Sequence, residues 1–321
     1  MSNLNKTIHL FLQKLDYLDN KKIVVGFSGG ADSTALMHLL KEKQPFFNYN
    51  LKAVFFSHEG SPLIENETVL QEHCINECNK MGIELVVHSL YLEKQKKQSW
   101  ESSGRIARMK FYKENPADYI FLGHHKDDQN ETTMMQLFRG AGKGVLAMKK
   151  IEGFYCRPLL EHYKKDIYQY LTEKNLSWIE DSTNQHNEFT RNFWRNIGLP
   201  TIKKYYPQYS QQLDTFRQKT HEANELAYEL AQVDGLTNLV SNNPVSIKNL
   251  SDLRIKNLVT HFFNHHKLGL EKLYLENQLN NYTAKKSTTI EKNEFCLYLD
   301  RGIVSTLMPQ NQNLKKTVNK L

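Results

Sequence analysis

The first half of the chain alternates two apolar patterns. Short β-branched or aromatic runs occur at 21–27 (KKIVVGF), 51–56 (LKAVFF), 83–89 (IELVVHS) and 118–124 (DYIFLGH), with the length and residue types of buried strands. Between them lie helix-period stretches, from Ser33 to about Lys43, over roughly 63–81, over 100–114 and over 127–139. Gly82 stands where a helix C-cap is expected. Strands separated by helices predict right-handed crossovers and a doubly wound parallel sheet covered on both faces. Ligands of such sheets bind beyond the carboxyl ends of the strands. After Pro200–Pro207, helix patterns dominate (208–233, 247–265 and 269–282), and 288–307 alternates like a small hairpin. The expectation is an α/β domain over 1–205 and a smaller, mainly helical domain over 206–321.

Composition adds limits. A chain of 321 residues, 40% hydrophobic and 24% charged, has the make-up of a globular protein with sizeable cores. The net charge of +7 is compatible with a polyanionic partner such as RNA. Of the four cysteines, only Cys74 and Cys78 are close in sequence; their spacing is not a CxxC pair, so reduced buried thiols are expected rather than zinc or disulfides. No apolar run approaches the ~20 residues a membrane span needs. The first eighteen residues read as an amphipathic helix interrupted by lysines rather than a signal peptide, so a cytoplasmic location is expected.

The first chemical motif is Ser28-Gly29-Gly30-Ala31-Asp32-Ser33, between a strand and a helix. A helix N-terminus offers unpaired N–H groups and the positive end of the dipole. Adjacent glycines let the backbone approach an anion closely. The hydroxyls of Ser28 and Ser33 add donors for phosphate. Asp32 is out of place beside phosphate unless it holds Mg2+, which favours carboxylate and phosphate oxygens. The string is neither a Walker P-loop nor a dinucleotide fingerprint.

A second motif, Gly123-His124-His125-Lys126-Asp127-Asp128-Gln129-Asn130-Glu131-Thr132, occupies the next strand–helix junction of interest, and Asp128 and Glu131 share a helix face. Arg139-Gly140-Ala141-Gly142, Arg157-Pro158-Leu159-Leu160, Glu180-Asp181-Ser182-Thr183-Asn184 and Arg191-Asn192-Phe193-Trp194-Arg195 follow.

The loop resembles the PP-loop of N-type ATP pyrophosphatases, and the ordered set of strings over about 21–200 resembles the tRNA(Ile)-lysidine synthase family. The resemblance implies a carbon–nitrogen ligase. It would use ATP and Mg2+ to adenylate the wobble cytidine of isoleucine tRNA bearing CAU, then replace the C2 oxygen with L-lysine. It implies ATP at Ser28, Gly29, Gly30, Ala31, Asp32 and Ser33, metal at Asp32, and catalytic roles for Asp32, Arg105, His124, Asp128 and Glu131. Asp128 and Glu131 would hold the lysine amine, one of them serving as base, and His124 would contact phosphate or shuttle protons. Arg191 and Arg195, four apart, are either ion-pair partners of acids or contacts to substrate. His125 and Asp127 have alternative roles as core or N-cap residues. The family places a helical tRNA-contacting domain after 205. The chain's length implies that it lacks the extra C-terminal module of longer members, and a homodimer is one option for its assembly.

Two departures stand out: Ser57-His58-Glu59-Gly60-Ser61-Pro62 lacks the family's Leu-Arg, and Gly104 precedes Arg105 where alanine is usual. Either Arg105 or Arg108 is the arginine that would reach the site. Lysine pairs at 149–150, 164–165, 203–204, 285–286 and 315–316 are candidate phosphate contacts; Tyr205, Tyr206, Tyr209 and Phe216 are candidate base platforms or core. The rival readings are a PP-loop tRNA thiolase, which needs reactive cysteines, and a non-catalytic nucleotide- or RNA-binding protein.

Overall fold

A computed structural model of the chain describes residues 3–57, 67–90, 100–140, 147–180, 190–266, 268, 272–282, 287–293 and 295–307. The chain divides into two compact units, Met1–Arg217 and Gln218–Leu321. In the first, α1 (Asn3–Leu12) precedes β1 (Lys22–Gly26), α2 (Ala31–Phe47), β2 (Asn50–Ser57), α3 (Glu67–Met81), β3 (Glu84–Ser89), α4 (Trp100–Glu114), β4 (Tyr119–Phe121) and α5 (Lys126–Phe138). All four expected strands are present. Two strands that the sequence did not betray, β5 (Ile151–Glu152) and β6 (Tyr155–Cys156), are only two residues long, too short for a periodic signal. Helix α6 (Lys164–Glu173) follows.

The sheet order is β3-β2-β1-β4-β6-β5, parallel throughout except for the β5–β6 hairpin. The order reverses between β1 and β4, and such a switch point opens a crevice at the carboxyl ends of those two strands. Helices α2 and α5 both start there. Strand alternation feeds two cores. Ile23, Val25, Ala53 and Phe55 pack with α1, α2 and α6, whereas Val54, Phe56 and Ile120 pack with Phe111 and Tyr112 of α4.

Beyond α6 the chain runs through α7 (Thr190–Phe193), a π-helical turn (Trp194–Gly198) and α8 (Leu199–Tyr205) into α9 (Tyr209–Val233). The first unit continues past the 205/206 boundary drawn from sequence because the start of α9 is bonded to α5. Asn130 donates to Ser210 Oγ at 2.9 Å, Arg217 donates to Thr133 Oγ1 at 2.7 Å, and Lys126 pairs with Asp214.

The second unit was expected to be mainly helical. It contains α10 (Leu236–Val240), α11 (Asp252–His265) and α12 (Lys272–Asn281). It also holds an antiparallel sheet of order β7-β10-β9-β8, from Val245–Ser246, Thr288–Lys292, Phe295–Asp300 and Ile303–Leu307. The expected hairpin is thus part of a larger sheet, whose Ile290, Leu297, Leu299 and Val304 are covered by Leu258, Val259, Phe262 and Phe263 of α11. No helix among the described residues is long and apolar enough to cross a membrane.

Candidate active site at the strand carboxyl ends

The glycine-rich loop leaves β1 and opens α2, with Gly30 as an N-cap that makes no side-chain cap bond. The helix N–H groups are therefore left for a ligand. Ser33 Oγ braces the loop from inside: it donates to Gly30 O at 3.0 Å and stands 3.2 Å from both Ser28 N and Ser28 Oγ. Gly29 has φ +76°, and a Cβ there would lie 3.1 Å from Cys74 Sγ and 3.3 Å from His73 Cδ2. A side chain at this position meets both backbone strain and a packed wall. Ile179 N donates to Gly29 O at 3.0 Å, so the segment leading to Glu180 rests on the loop. Gly123, at the end of β4, is equally constrained: a Cβ would lie 3.1 Å from the carbonyl carbon of Asp32. The second motif thus abuts the first turn of α2 with no space between them.

His125 joins the two motifs. Its ring is buried, with Nε2 3.5 Å from Asp32 Oδ2 and 3.4 Å from Asp128 Oδ2. It is also the N-cap of α5: Asp127 N donates to its Nδ1 at 3.2 Å, and its own N–H donates to Asp128 Oδ2 at 3.0 Å, a reciprocal box. Burial opposes a charged imidazole, but the carboxylates of Asp128, Asp32 and Asp127 outweigh it and raise the His125 pKa. Asp127 does not cap its own helix; its Oδ2 accepts from Lys164 N at 2.9 Å and so caps α6.

Asp128 and Glu131 are buried and both are taken by guanidinium groups. Asp128 Oδ1 accepts from Arg191 Nη2 at 2.9 Å and Arg195 Nη2 at 3.1 Å. Glu131 accepts from Arg191 Nε at 2.8 Å and from Arg195 Nε at 2.7 Å. Of the two roles open to these arginines, ion pairing is therefore observed. Burial by itself would raise the Asp128 pKa; His125, Arg191 and His124 outweigh it and hold the carboxyl well below the usual range. These groups favour the ionised form of Asp128. For either acid to grip a lysine amine, an arginine must give up part of its contact.

Burial pushes the His124 pKa down to about 4, against the pull of Asp128, and so favours the neutral ring; its buried Nδ1 has no hydrogen-bond partner among the described residues. Arg105 lies on an exposed part of α4 and bears electrostatically on Tyr155 and Arg157. Arg157 itself is buried, donates to Lys149 O at 3.0 Å, and bears on His124. Its position directly after the end of β6 is the signal in the sequence that marks it. The loop at His58, residues 141–146 of the glycine-rich stretch and Asp181–Asn184 lie outside the described residues.

A hard cation suits Asp32. Its Oδ1 is buried with no hydrogen-bond partner, and carboxylate oxygen is the ligand Mg2+ favours. Among the described residues no group of three or more His, Cys, Asp or Glu could hold a metal. Most of the coordination would come from substrate phosphate and water, as is usual for Mg2+ at phosphate sites. Cys74 and Cys78 are fully buried. Cys74 lies directly behind Gly29, nearer the loop than a mid-helix position suggested.

Residues 2–202 match the family model of the PP-loop domain. The chain is 34% identical over 250 residues to the tRNA(Ile)-lysidine synthase of Nitrosomonas europaea, a match covering 74% of this chain and 54% of that protein. It is 36% identical over 194 residues to the tRNA(Ile)-lysidine synthase of Legionella pneumophila strain Lens, covering 58% of this chain and 44% of that one. The chain thus spans about half the length of the curated relatives it matches. Among solved structures, the U34-tRNA thiolase NcsA from Methanococcus maripaludis with its [4Fe-4S] cluster superposes with a TM-score of 0.56 at 19% identity, over 68% of this chain and 78% of that one. This likeness is one of fold.

Proposed function

Since the chain belongs to the PP-loop domain family, we propose that it acts as a tRNA(Ile)-lysidine synthase, a ligase joining L-lysine to C2 of the wobble cytidine of isoleucine tRNA with a CAU anticodon. The observation that carries this reading is the bridge from Asp32 through His125 to Asp128, at 3.5 and 3.4 Å. It supports the reading by joining the glycine-rich loop to the buried acid–arginine cluster through one ring. In the first step, cytidine O2 attacks the α-phosphorus of ATP and the bond to the β-phosphate breaks, releasing pyrophosphate. The helix N–H groups of the loop and the hydroxyl of Ser28 hold the phosphates, while Ser33, which donates to Gly30 O, keeps the loop in shape. Asp32 would hold Mg2+, which neutralises phosphate charge when bound. Arg191 and Arg195, oriented by Asp128 and Glu131, supply cationic groups for negative charge growing nearby. In the second step the lysine ε-amine attacks C2, the C2–O bond breaks, AMP leaves, and the proton shed by the nitrogen passes to one of the acids Asp128 and Glu131 or to water. Neutral His124 is suited to accept a hydrogen bond without adding positive charge that would repel the amine.

The named relatives in the sequence comparisons support this substrate choice, and the buried thiols argue against sulfur transfer. Burial pushes both Cys74 and Cys78 thiols up, the latter to about 12, so neither offers a thiolate nucleophile. The test is incubation with ATP, Mg2+, labelled lysine and isoleucine tRNA bearing CAU. Label at the wobble cytidine, with equimolar AMP and pyrophosphate, is expected. Absence of label under conditions where ATP binds would overturn the proposal.

A further inference from the structure

Close to the acid–arginine cluster, three rings cluster, one pair tilted and the other edge to face, where nothing in the proposed chemistry requires them. Trp194 begins the π-helical turn and is 8% exposed, packed in a small core with Met134 and Leu199. Phe138, at the end of α5, lies 5.0 Å from Trp194 between centroids, and Phe193 lies 5.3 Å from it. These outer two rings face solvent, with Phe138 71% and Phe193 41% exposed. A phenylalanine that exposed loses the benefit of burial, so a pair of them around a buried tryptophan marks a surface built to be covered.

The rings are fixed in place. A Cβ at Gly198 would stand 2.5 Å from Trp194 Cε3 and 3.4 Å from Phe193 Cε1, so the π turn closes directly against them and only glycine fits. From the other side the ion pairs act. Arg191 and Arg195 flank Phe193 and Trp194 in sequence, and both are tied to Asp128 and Glu131. Glu131 lies seven residues before Phe138 on α5, two turns along the same helix face.

Charge decides what covers the rings. No acidic residue occurs between Thr132 and Ile151, or between Phe189 and Leu213. These stretches, which carry Phe138 and Phe193 themselves, also hold Arg139, adjacent to Phe138, together with Lys149, Lys203 and Lys204, all exposed. A purely apolar partner surface would gain nothing from such cations. A ribonucleic acid strand with unstacked bases supplies the two things this surface lacks, aromatic faces and phosphates.

We infer that Phe138 and Phe193, backed by Trp194, form a shelf on which an unpaired nucleobase of the RNA substrate stacks. The inference rests on the function proposed above, which supplies the RNA. The rings that carry it are not Tyr205 and Tyr206, which are exposed but form no ring stack with it.

The test uses the full chain and a synthetic RNA stem-loop with a CAU loop, followed by fluorescence anisotropy. Phe138→Ala and Phe138→Leu are both expected to weaken RNA binding roughly tenfold, the scale of one lost base–aromatic stack. Phe138→Tyr should bind as the parent does, and ATP affinity should stay unchanged in all three. Failure of Phe138→Leu to weaken binding would overturn the shelf and leave the ligase reading intact, because that substitution keeps apolar cover but removes the ring. Normal RNA binding combined with a shift in sedimentation would also overturn it, and would make the patch a contact between copies of the chain. Ring-dependent RNA binding without lysine transfer would sink the ligase reading and leave the shelf standing. No binding by the parent protein would remove both.

Discussion

Glu131→Gln is the most searching substitution in the acid–arginine cluster. Two carboxylates and two guanidinium groups sum to zero charge in a site where Glu131 is 1% exposed. Its oxygens accept from Arg191 Nε at 2.8 Å and from Arg195 Nε and Nη2 at 2.7 and 3.2 Å. The amide keeps the shape but leaves one uncompensated positive charge, and its NH2 faces guanidinium donors. Removing one partner of a buried pair costs about 3–5 kcal/mol. The arginine side chains are 26% and 27% exposed, so the lower end, about 3 kcal/mol, applies. For a unit of this size that lowers Tm by roughly 6–12 °C. Trp100, Trp178 and Trp194 are the chain's three tryptophans, all within the first unit, so tryptophan fluorescence reports the melting of that unit. The decisive variant is the double Glu131→Gln, Arg195→Met, which restores neutrality. It should be less destabilised than the sum of its singles by about 2 kcal/mol. Additivity within about 0.5 kcal/mol would refute the ion-pair account.

Three further outcomes are expected. Asp32→Ala should abolish pyrophosphate release, with a Tm change limited to the loss of the 3.5 Å contact between Oδ2 and His125, because the buried Oδ1 has no partner among the described residues; full activity would contradict the metal-holding role. Gly29→Ala should destabilise the first unit by about 1–3 kcal/mol, combining left-handed strain with the Cys74 wall, and should weaken ATP binding measured by calorimetry. Burial lowers the His124 pKa from the ordinary 6.5 to about 4. The unfolded chain therefore takes up the proton first, and stability falls as pH drops from about 6.5 to 4, by up to about 3 kcal/mol. His124→Gln should flatten that part of the pH–stability curve, and an unchanged slope would refute the assignment.

What the sequence revealed was local. Strand runs such as 21–27 and 51–56 are read from neighbouring residues, and the Ser28–Ser33 loop declares itself by glycines at a strand–helix junction. What it concealed depends on distance. Arg191 and Arg195 stand 60 residues or more beyond their partners Glu131 and Asp128, so spacing left ion pairing and substrate contact equally open. Asp127 has the residue type of an N-cap at the right place, yet the helix it caps is α6. The ordinary pKa of a histidine is near neutral, and the burial that lowers that of His124 is carried by no string of letters. The small sheet of the second unit was half seen: the hairpin is local, but β7 pairs with β10 across the intervening helices.

The anchoring of α9 has a practical corollary. Ser210, Asp214 and Arg217 belong to the polar seam that closes over Asn130, Lys126 and Thr133. A fragment cut in the turn before Tyr209 would strip those partners and leave Lys126, Asn130 and Thr133, all inward-facing, seeking water. The smallest piece able to stand alone with an intact rim therefore ends partway along a helix, and a cleavage there should be far better tolerated than one at the loop that looks like the natural seam.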